Sequence, residues 1–204
     1  TMAVAAAANC LRGFERASVD ALWFASTTYP FHEKQAAALV ARALDLPRAT
    51  RTADYSGSLR AGLQALRGAF DAVAAGSARR VLVVASDCRL SAPGSGLETN
   101  LGDGAAAFLV AEADAIATLE GGFAVSDEIV DLWRGEGDSF VHSWEDRFVV
   151  QEGYAPRIAE AVGGLLERLG IGPADCARVA LFAPDARSHS DACRKLRVPP
   201  ERVQ

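Results

Sequence analysis

The sequence predicts an α/β fold in which helices cover a largely parallel β-sheet. Short apolar runs typical of strands alternate with longer alanine-rich or amphipathic segments typical of helices, at the spacing of βαβ units. Residues 80–86 (RVLVVAS) are apolar and β-branched almost without interruption, which indicates a strand that is buried on both faces. These two observations favour a layered α/β protein over an all-helical or all-β one.

Helices are predicted wherever apolar residues recur at a spacing of three or four, or wherever alanine dominates. Helix-breaking residues stand at or just beyond the end of several of these segments, notably Pro47, Gly76 and Gly170. The predicted helices are residues 2–14, 33–44, 58–75, 154–169 and 188–195.

Strands are predicted for the shorter apolar runs between the helices. They are residues 19–26, 50–55, 80–86, 105–111, 117–125 and 178–183. The runs 105–111 and 117–125 lie close together in the chain, which favours two neighbouring strands. Residues 93–96 (PGSG) indicate a loop. Residues 127–150, which include Trp133 and Trp144, show no regular pattern.

The stretch RTADYSGSLRAGLQAL, residues 51–66, indicates a tight turn from a strand into a helix. The extended start runs through Ser56, Gly57 and Ser58 into a segment with helical spacing. Free backbone N–H groups and the positive end of the helix dipole meet at such a turn, and enzymes often place a nucleophile there. Apolar residues of this helix at Leu63, Leu66, Phe70 and Val73 predict a buried face, with Leu59 inside the helix.

The composition limits which classes of protein this chain can belong to. The 204 residues carry a formal net charge of −5 and half of them are apolar, so the chain can bury a sizeable core. The acidic balance argues against nucleic acid as a partner, and no apolar run is long enough to suggest a membrane span. Both ends read as if they lay inside longer elements, so we expect a fragment of a longer protein.

The four cysteines show no metal-binding spacing. Cys10, Cys88, Cys176 and Cys193 form neither a CxxC pair nor a Cys/His cluster, so no metal site is expected. In a chain of this length they are expected to be free, mostly buried thiols in a reducing cytoplasm. Cys88 in particular is expected to be an inert buried thiol.

Four stretches carry a resemblance to a known family. Residues 62–65 (GLQA) match the segment that follows the nucleophile of thiolases, and residues 101–106 (LGDGAA) look like the turn before a core strand of ketoacyl synthases. Residues 127–134 (DEIVDLWR) are similar to a D-x-W/Y-[RK] segment, and residues 181–184 (LFAP) fall where a His-x-Pro is found. Together they resemble the thiolase superfamily and, within it, the hydroxymethylglutaryl-CoA synthases.

The resemblance implies a thiolase-like αβαβα layered fold of two similar halves. Residues 1–125 would then be most of the first half, and residues 126–204 a connecting segment with the beginning of the second. The family condenses or cleaves acyl-CoA thioesters through a cysteine at a helix N-terminus, with a histidine and a glutamate that handle protons and the oxyanion. A CoA thioester would be the substrate, with no further cofactor.

The residues at the matched positions lack these chemical groups. The family's cysteine falls on Leu59, its histidine on Phe182 and its glutamate on Thr27. Leucine cannot carry an acyl group, and phenylalanine cannot move a proton. A synthase of the usual mechanism is therefore not expected.

Three interpretations remain open. The first is an enzyme that performs aldol-type steps on a CoA thioester without an acyl-enzyme, which needs only N–H donors and one acid/base. The second is a non-catalytic partner subunit or scaffold of an active thiolase-type enzyme. The third is a one-residue slip that puts Ser58 at the nucleophile position. The polar candidates near the matched positions are Ser56, Ser58, Thr27, Tyr29 and His32.

Each candidate also has a purely structural interpretation. Ser58 suits a helix N-cap, which contributes about 1 kcal/mol, and Gly57 suits a turn that needs an unusual φ. Asp54 and Asp103 suit caps or turns. Arg187 stands where the synthases carry a basic residue that contacts CoA, so it is a candidate for a phosphate contact as well as an ordinary surface charge.

The resemblance also implies partners. Acyl-CoA would be the small-molecule ligand, with Arg187, Gly57 and Ser56 as the expected binding residues, while Ser58, Thr27 and His32 are the catalytic candidates. A homodimer or heterodimer is expected, because the family's fold buries a large face between subunits. A small zinc/OB-type partner protein accompanies some relatives.

Overall fold

The computed structural model describes all 204 residues, which divide into two compact units, Thr1–Thr118 and Leu119–Gln204. The division expected from the family's halves, after residue 125, stays a prediction. None of the helices combines the length and the apolar character that crossing a bilayer requires.

A four-stranded sheet forms the centre of the first unit. Its strands are β1 (Ala21–Ala25), β2 (Arg51–Tyr55), β3 (Arg80–Asp87) and β4 (Gly104–Ala111), in the spatial order β2-β1-β3-β4. Strand β1 pairs in parallel with both β2 and β3, whereas β4 pairs antiparallel with β3. The predicted largely parallel sheet is therefore confirmed, with an antiparallel edge strand.

Helices cover both faces of this sheet. On one face, α1 (Met2–Cys10) and α2 (Ala36–Ala43) pack with Leu22 and Leu82; on the other, α3 (Ala61–Ala74) packs with Val81 and Val83. Alternate residues of β3 thus enter opposite cores, and Val81, Leu82 and Val84 have no exposed surface. The uninterrupted apolar run of β3 is explained by burial on both faces.

The second unit is built mainly around two helices. It contains the short pair β5 (Leu132–Trp133) and β6 (His142–Ser143), a helical turn α4 (Asp146–Phe148), and the helices α5 (Ala155–Leu169) and α6 (Ala186–Lys195). Gly170 ends α5 with a left-handed φ of 66°, as expected from its place in the sequence. The carboxylate of Asp185 caps α6 by accepting the backbone N–H of Ser188 at 2.9 Å.

The helix after β2 begins later than predicted, and alanines form the centre of its buried face. Helix α3 starts at Ala61, so Leu59 lies in the preceding turn with 52% of its surface exposed, and Leu63 is 70% exposed. The residues that contact the sheet are Ala61, Ala65 and Ala69. The expected burial of Leu59 and Leu63 is therefore wrong, whereas Leu66, Phe70 and Val73 of the predicted face are partly buried and pack against the same core.

Two predicted strands are not formed. Residues 117–125 form no strand; their apolar residues cover α5, where Phe123 lies on Gly164 and Leu169 lies on Gly121. Residues 178–183 form only an isolated bridge between Val179 and Val203. Both runs are apolar enough for strands, but in this structure neither has a neighbouring strand with which to form a ladder.

Two adjacent glycines of α5 allow a direct test of this packing. A Cβ on Gly164 would lie 2.5 Å from the ring of Phe123, whereas a Cβ on Gly163 would meet nothing within 4 Å. We expect Gly163→Ala to stabilise the protein by up to about 1 kcal/mol through helix propensity. Gly164→Ala should instead destabilise it by about 1–3 kcal/mol, because the ring must leave its position.

Chemical denaturation of the two variants measures both effects. Both variants replace a glycine by alanine in the same helix, so the gain in helix propensity is the same in each and the difference between them reports the contact with Phe123. Equal free energies of unfolding would show that Phe123 does not pack on α5.

Candidate functional site

The ends of three strands meet at one edge of the sheet in the first unit. Because β1 is parallel to both β2 and β3, with Ala25 opposite Tyr55 and Ala85, their carboxyl ends lie side by side. Ligands of open α/β sheets bind outside such ends. We call this place the strand-end site. It consists of Ser26, Thr27 and Thr28 after β1, of Ser56, Gly57 and Ser58 after β2, and of Asp87 at the end of β3.

Asp87 organises the polar groups of the strand-end site. Its Oδ1 accepts the hydroxyl of Ser26 at 2.9 Å, the backbone N–H of Thr27 at 2.7 Å and the hydroxyls of Thr27 and Thr28 at 3.1 and 3.0 Å. Hydrogen bonds to an ionised acceptor are about twice as strong as neutral ones. The turn after β1 is therefore anchored to the end of β3.

Tyr29 links the ends of β1 and β2. Its hydroxyl lies 2.7 Å from the carbonyl oxygen of Phe24 and 3.1 Å from that of Tyr55, so it donates to the last residues of both strands. Burial, with the negative charge of Asp54 as the next cause, raises the pKa of Tyr29 well above its usual value. This hydroxyl thus keeps its proton and serves as a structural donor.

The residues after β2 form a tight turn. Gly57 has a φ of +80°, which glycine adopts without strain, as expected from its place in the turn. The Ser58 hydroxyl accepts the backbone N–H of Arg60 at 3.1 Å, so Ser58 stabilises the turn immediately before α3. Ser56 follows the last residue of β2 and is exposed.

His32 is not part of the network around Asp87. It lies exposed in the connection between β1 and α2, and the structure gives it no hydrogen bond to Thr27 or Ser58. Asp54 is a cap, as its structural interpretation expects: its two carboxylate oxygens accept the N–H groups of Ala36 and Ala37, each at 2.7 Å, at the start of α2. The strand-end site thus has one carboxylate that is not committed to a helix end.

Other candidates lie in the second unit. Arg187 lines a groove of about 670 Å³ on the surface of α5 and α6, together with the cations Arg147 and Lys195. Tyr154 also lines this groove, and its hydroxyl donates to the carbonyl oxygen of Phe182 at 2.7 Å. The Phe182 side chain is 85% exposed.

The expectation for Cys88 needs correction. Cys88 is exposed rather than buried, because it follows the last residue of β3 and its backbone N–H donates to the hydroxyl of Thr28. Trp133 and Trp144, in the segment without a regular pattern, are 41% and 54% exposed, and Trp133 stacks on His142 with ring centroids 5.6 Å apart. The structure contains no group of three or more His, Cys, Asp or Glu side chains that would suit a metal ion.

Asp87 is the residue that sequence reasoning missed. The signal was present: a carboxylate directly ends the most apolar strand, and a Ser-Thr-Thr run directly ends another. Because the chain order separates these groups by 60 residues, only the parallel pairing of β1 and β3 reveals that they meet.

Comparisons with known proteins agree with this architecture. No family profile matches the chain. Hydroxymethylglutaryl-CoA synthases of Aeropyrum pernix and Methanopyrus kandleri are 31% and 30% identical to it over 207 and 209 residues, which is 100% of this chain but 57% and 59% of theirs. A solved structure described as MvaS in complex with 3-hydroxy-3-methylglutaryl coenzyme A superposes with a TM-score of 0.85 at 26% identity, over 96% of this chain and 50% of that one.

The chain is a hydroxymethylglutaryl-CoA synthase-like protein of the thiolase superfamily. A 3-oxoacyl-(acyl carrier protein) synthase III from Pseudomonas aeruginosa superposes with a TM-score of 0.82 at 24% identity, over 99% of this chain and 66% of that one, and shares the fold. The predicted thiolase-like fold is thereby confirmed. This synthase-like chain spans less than two thirds of the length of the curated relatives it matches.

The two serines after β2 permit a test of their separate roles. We expect Ser58→Ala to lower the free energy of unfolding by about 0.5–1.5 kcal/mol, because the N–H of Arg60 loses its acceptor. Ser56→Ala should change it by less than about 0.5 kcal/mol, as is usual for an exposed position. Thermal or chemical unfolding of the two variants measures this difference, and equal losses would contradict the structural role of Ser58.

Proposed function

We propose that this protein binds an acyl-CoA thioester and catalyses carbon–carbon bond formation or cleavage on it without a covalent acyl-enzyme. The observation that carries the proposal is the strand-end site, where hydroxyl groups and one carboxylate converge on a fold whose neighbours include CoA complexes. Aldol-type chemistry on a thioester needs an enolate, donors for its oxygen and a group that moves a proton, and does not need a thiol.

One hydroxyl group of the site suits the task of donating to the enolate oxygen. The Ser58 hydroxyl accepts the N–H of Arg60, so its own proton remains available as a donor to a ligand. Thr27 is the second catalytic candidate; its hydroxyl donates its proton to Asp87, so its oxygen can accept a hydrogen bond from a substrate. His32 is the third catalytic candidate, as a mobile surface base or acid.

The CoA portion is assigned to other residues. Ser56 and Gly57 border the site where β2 ends, and a turn with no side chain at position 57 lets a thioester approach the backbone closely. Arg187 is the candidate for the phosphates, because guanidinium groups bind phosphate through charge-assisted hydrogen bonds. We further propose that the protein is cytoplasmic and works as a homodimer or heterodimer, with a small zinc/OB-type protein as a companion.

A non-catalytic role is the second candidate. Leu59 and Phe182 stand where the resemblance places a thiol and an imidazole, and both side chains are exposed hydrocarbon surfaces. Such residues suit contact with another chain better than they suit proton transfer. A scaffold of this kind would turn over acyl-CoA only in the presence of an active homologue.

Binding of coenzyme A tests whether the protein has retained a site for this ligand. Calorimetry with acetyl-CoA should detect binding to the wild-type protein, and Arg187→Ala should weaken it by about 1.5–3 kcal/mol, the usual value of a hydrogen bond to a charged group. Arg194→Ala is the matched control, because it removes the same charge from α6 at a residue that does not line the groove. A wild-type protein that ignores acetyl-CoA at millimolar concentration would refute the binding proposal.

Mass spectrometry tests whether a covalent acyl-enzyme forms. Ser56 and Ser58 have no histidine within hydrogen-bonding reach, so neither serine is activated as a nucleophile. Incubation with acetyl-CoA followed by intact-mass analysis should show no acetyl adduct on residue 59 or its neighbours. A stable adduct that maps to Ser58 or Ser56 would instead establish acyl-enzyme chemistry on a serine.

A further inference from the structure

Helix α6 places a cysteine and a histidine side by side in the second unit. His189 and Cys193 are four residues apart, so their side chains lie next to each other on one face of the helix. The sulfur of Cys193 lies 3.9 Å from Nε2 of His189. A thiol is a weak donor, and an imidazole that carries its proton on Nδ1 accepts through Nε2. The contact is therefore one through which a proton can pass from the sulfur to the imidazole.

The other ionisable groups around this pair do not compete for the thiol proton. Burial raises the pKa of Tyr154, and the nearby charges of Cys193 and Asp185 raise it further, so the phenol keeps its proton. The Tyr154 hydroxyl donates this proton to a backbone carbonyl oxygen. The two carboxylate oxygens of Asp185 accept the N–H and the hydroxyl of Ser188 at the start of α6. The acceptor for the thiol proton is thus His189.

The other three cysteines lack an imidazole partner. Cys88 is exposed, and its side chain makes no contact with a histidine. Burial raises the pKa of the Cys10 thiol. The sulfur of Cys176 lies 3.9 Å from the carbonyl oxygen of Gly172, an acceptor that favours the protonated thiol. Exposure alone therefore predicts Cys88 as the most reactive thiol of the chain, whereas the contact with an imidazole predicts Cys193.

The burial of the sulfur limits which reagent can react there. Only 8% of the Cys193 surface is exposed, and His189 is half-buried beside it. A disulfide or an alkylating group must bring bulky substituents to the sulfur, and this position does not admit them. Hydrogen peroxide is small and uncharged, and it attacks thiolates selectively according to their thiolate character and exposure. It is the oxidant that this position fits.

We propose that Cys193 is a peroxide-reactive thiol that His189 activates, and that hydrogen peroxide converts it to a sulfenic acid. His189 takes the thiol proton, and the thiolate sulfur attacks one oxygen of the peroxide. The S–O bond forms as the O–O bond breaks. The leaving hydroxide takes the proton from the imidazolium and departs as water. The sulfur is oxidised by the two electrons that the peroxide gains, so the thiol and one peroxide give the sulfenic acid and one water.

Trapping of sulfenic acid tests the proposal on the full chain. The protein is treated with hydrogen peroxide at neutral pH in the presence of dimedone, which labels sulfenic acids, and peptide mass mapping follows each of the four cysteines. Cys193 should be labelled about tenfold faster than Cys88, because a thiol without a base is only a few per cent thiolate at pH 7. Labelling of Cys88 at an equal or higher rate would show that exposure decides reactivity and would overturn the proposal.

Two histidine variants test the role of the imidazole. His189→Gln keeps a good helix former and removes the group that takes the proton, so it should slow the labelling of Cys193 by about tenfold. His142→Gln is the matched control, because His142 contacts Trp133 and Asp138 and no cysteine. It should leave the rate at Cys193 unchanged. Labelling of Cys193 in His189→Gln at the wild-type rate would refute the activation.

The direction of the effect separates activation from a loss of structure. If His189→Gln merely loosened α6, the sulfur would become more accessible and its labelling would rise rather than fall. Concentrated urea provides the second comparison, because the contact between positions 189 and 193 requires the helix. In the unfolded wild-type chain, Cys193 and Cys88 should be labelled at similar rates. A preference for Cys193 that persists in urea would show that the folded contact is not its cause, and the proposal would be wrong.

Discussion

The parallel pairing of β1 with both of its neighbours is the constraint on which the rest of the first unit depends. Strand β1 lies between β2 and β3 and is buried on both faces, with Ala21 and Leu22 fully inaccessible. Because each pairing is parallel, the chain must cross back over the sheet after β1 and after β2, and α2 and α3 make these crossings on opposite faces. The same pairing brings the three carboxyl ends to one edge, which is why Asp87 can hold a turn 60 residues earlier in the chain.

Small side chains set how closely α3 approaches this sheet. Ala65 and Ala69 are fully inaccessible, and a Cβ on Gly62 would lie 3.5 Å from Cβ of Ala85. A helix with large residues on this face would stand farther from the sheet, since helix separation follows the side chains at the contact. The close approach fixes the position of the turn between β2 and α3, and with it Ser56 and Ser58. Leu66, Phe70 and Val73 pack at the margin of this contact, whereas Leu63 is exposed.

The sequence predicted the strand and helix order of the first unit because its patterns are strong and local. The run of β3 and the glycine that ends α5 each determine their structure through burial or backbone freedom. The strand predicted for residues 117–125 is wrong because an apolar run indicates burial but does not show whether the segment forms a strand or packs on a helix without one. The same limit applies to α3, where spacing identified a helix but could not tell that alanines, rather than Leu63, face the sheet. Asp87 was missed for another reason, because its partners are distant in the chain. The register between two strands depends on both strands and cannot be derived from the sequence of one of them.

The separation of the polar groups within the site explains how one part of an acyl-CoA reaction can be lost while another is retained. Acyl transfer depends on a nucleophile in the turn between β2 and α3, where the sequence offers Leu59 and two serines without a base. The carboxylate at the end of β3 instead holds the turn after β1, through the hydroxyl groups of Ser26, Thr27 and Thr28. In the proposed chemistry, a chain that lacks the thiol keeps the hydroxyl groups and the carboxylate of the strand-end site.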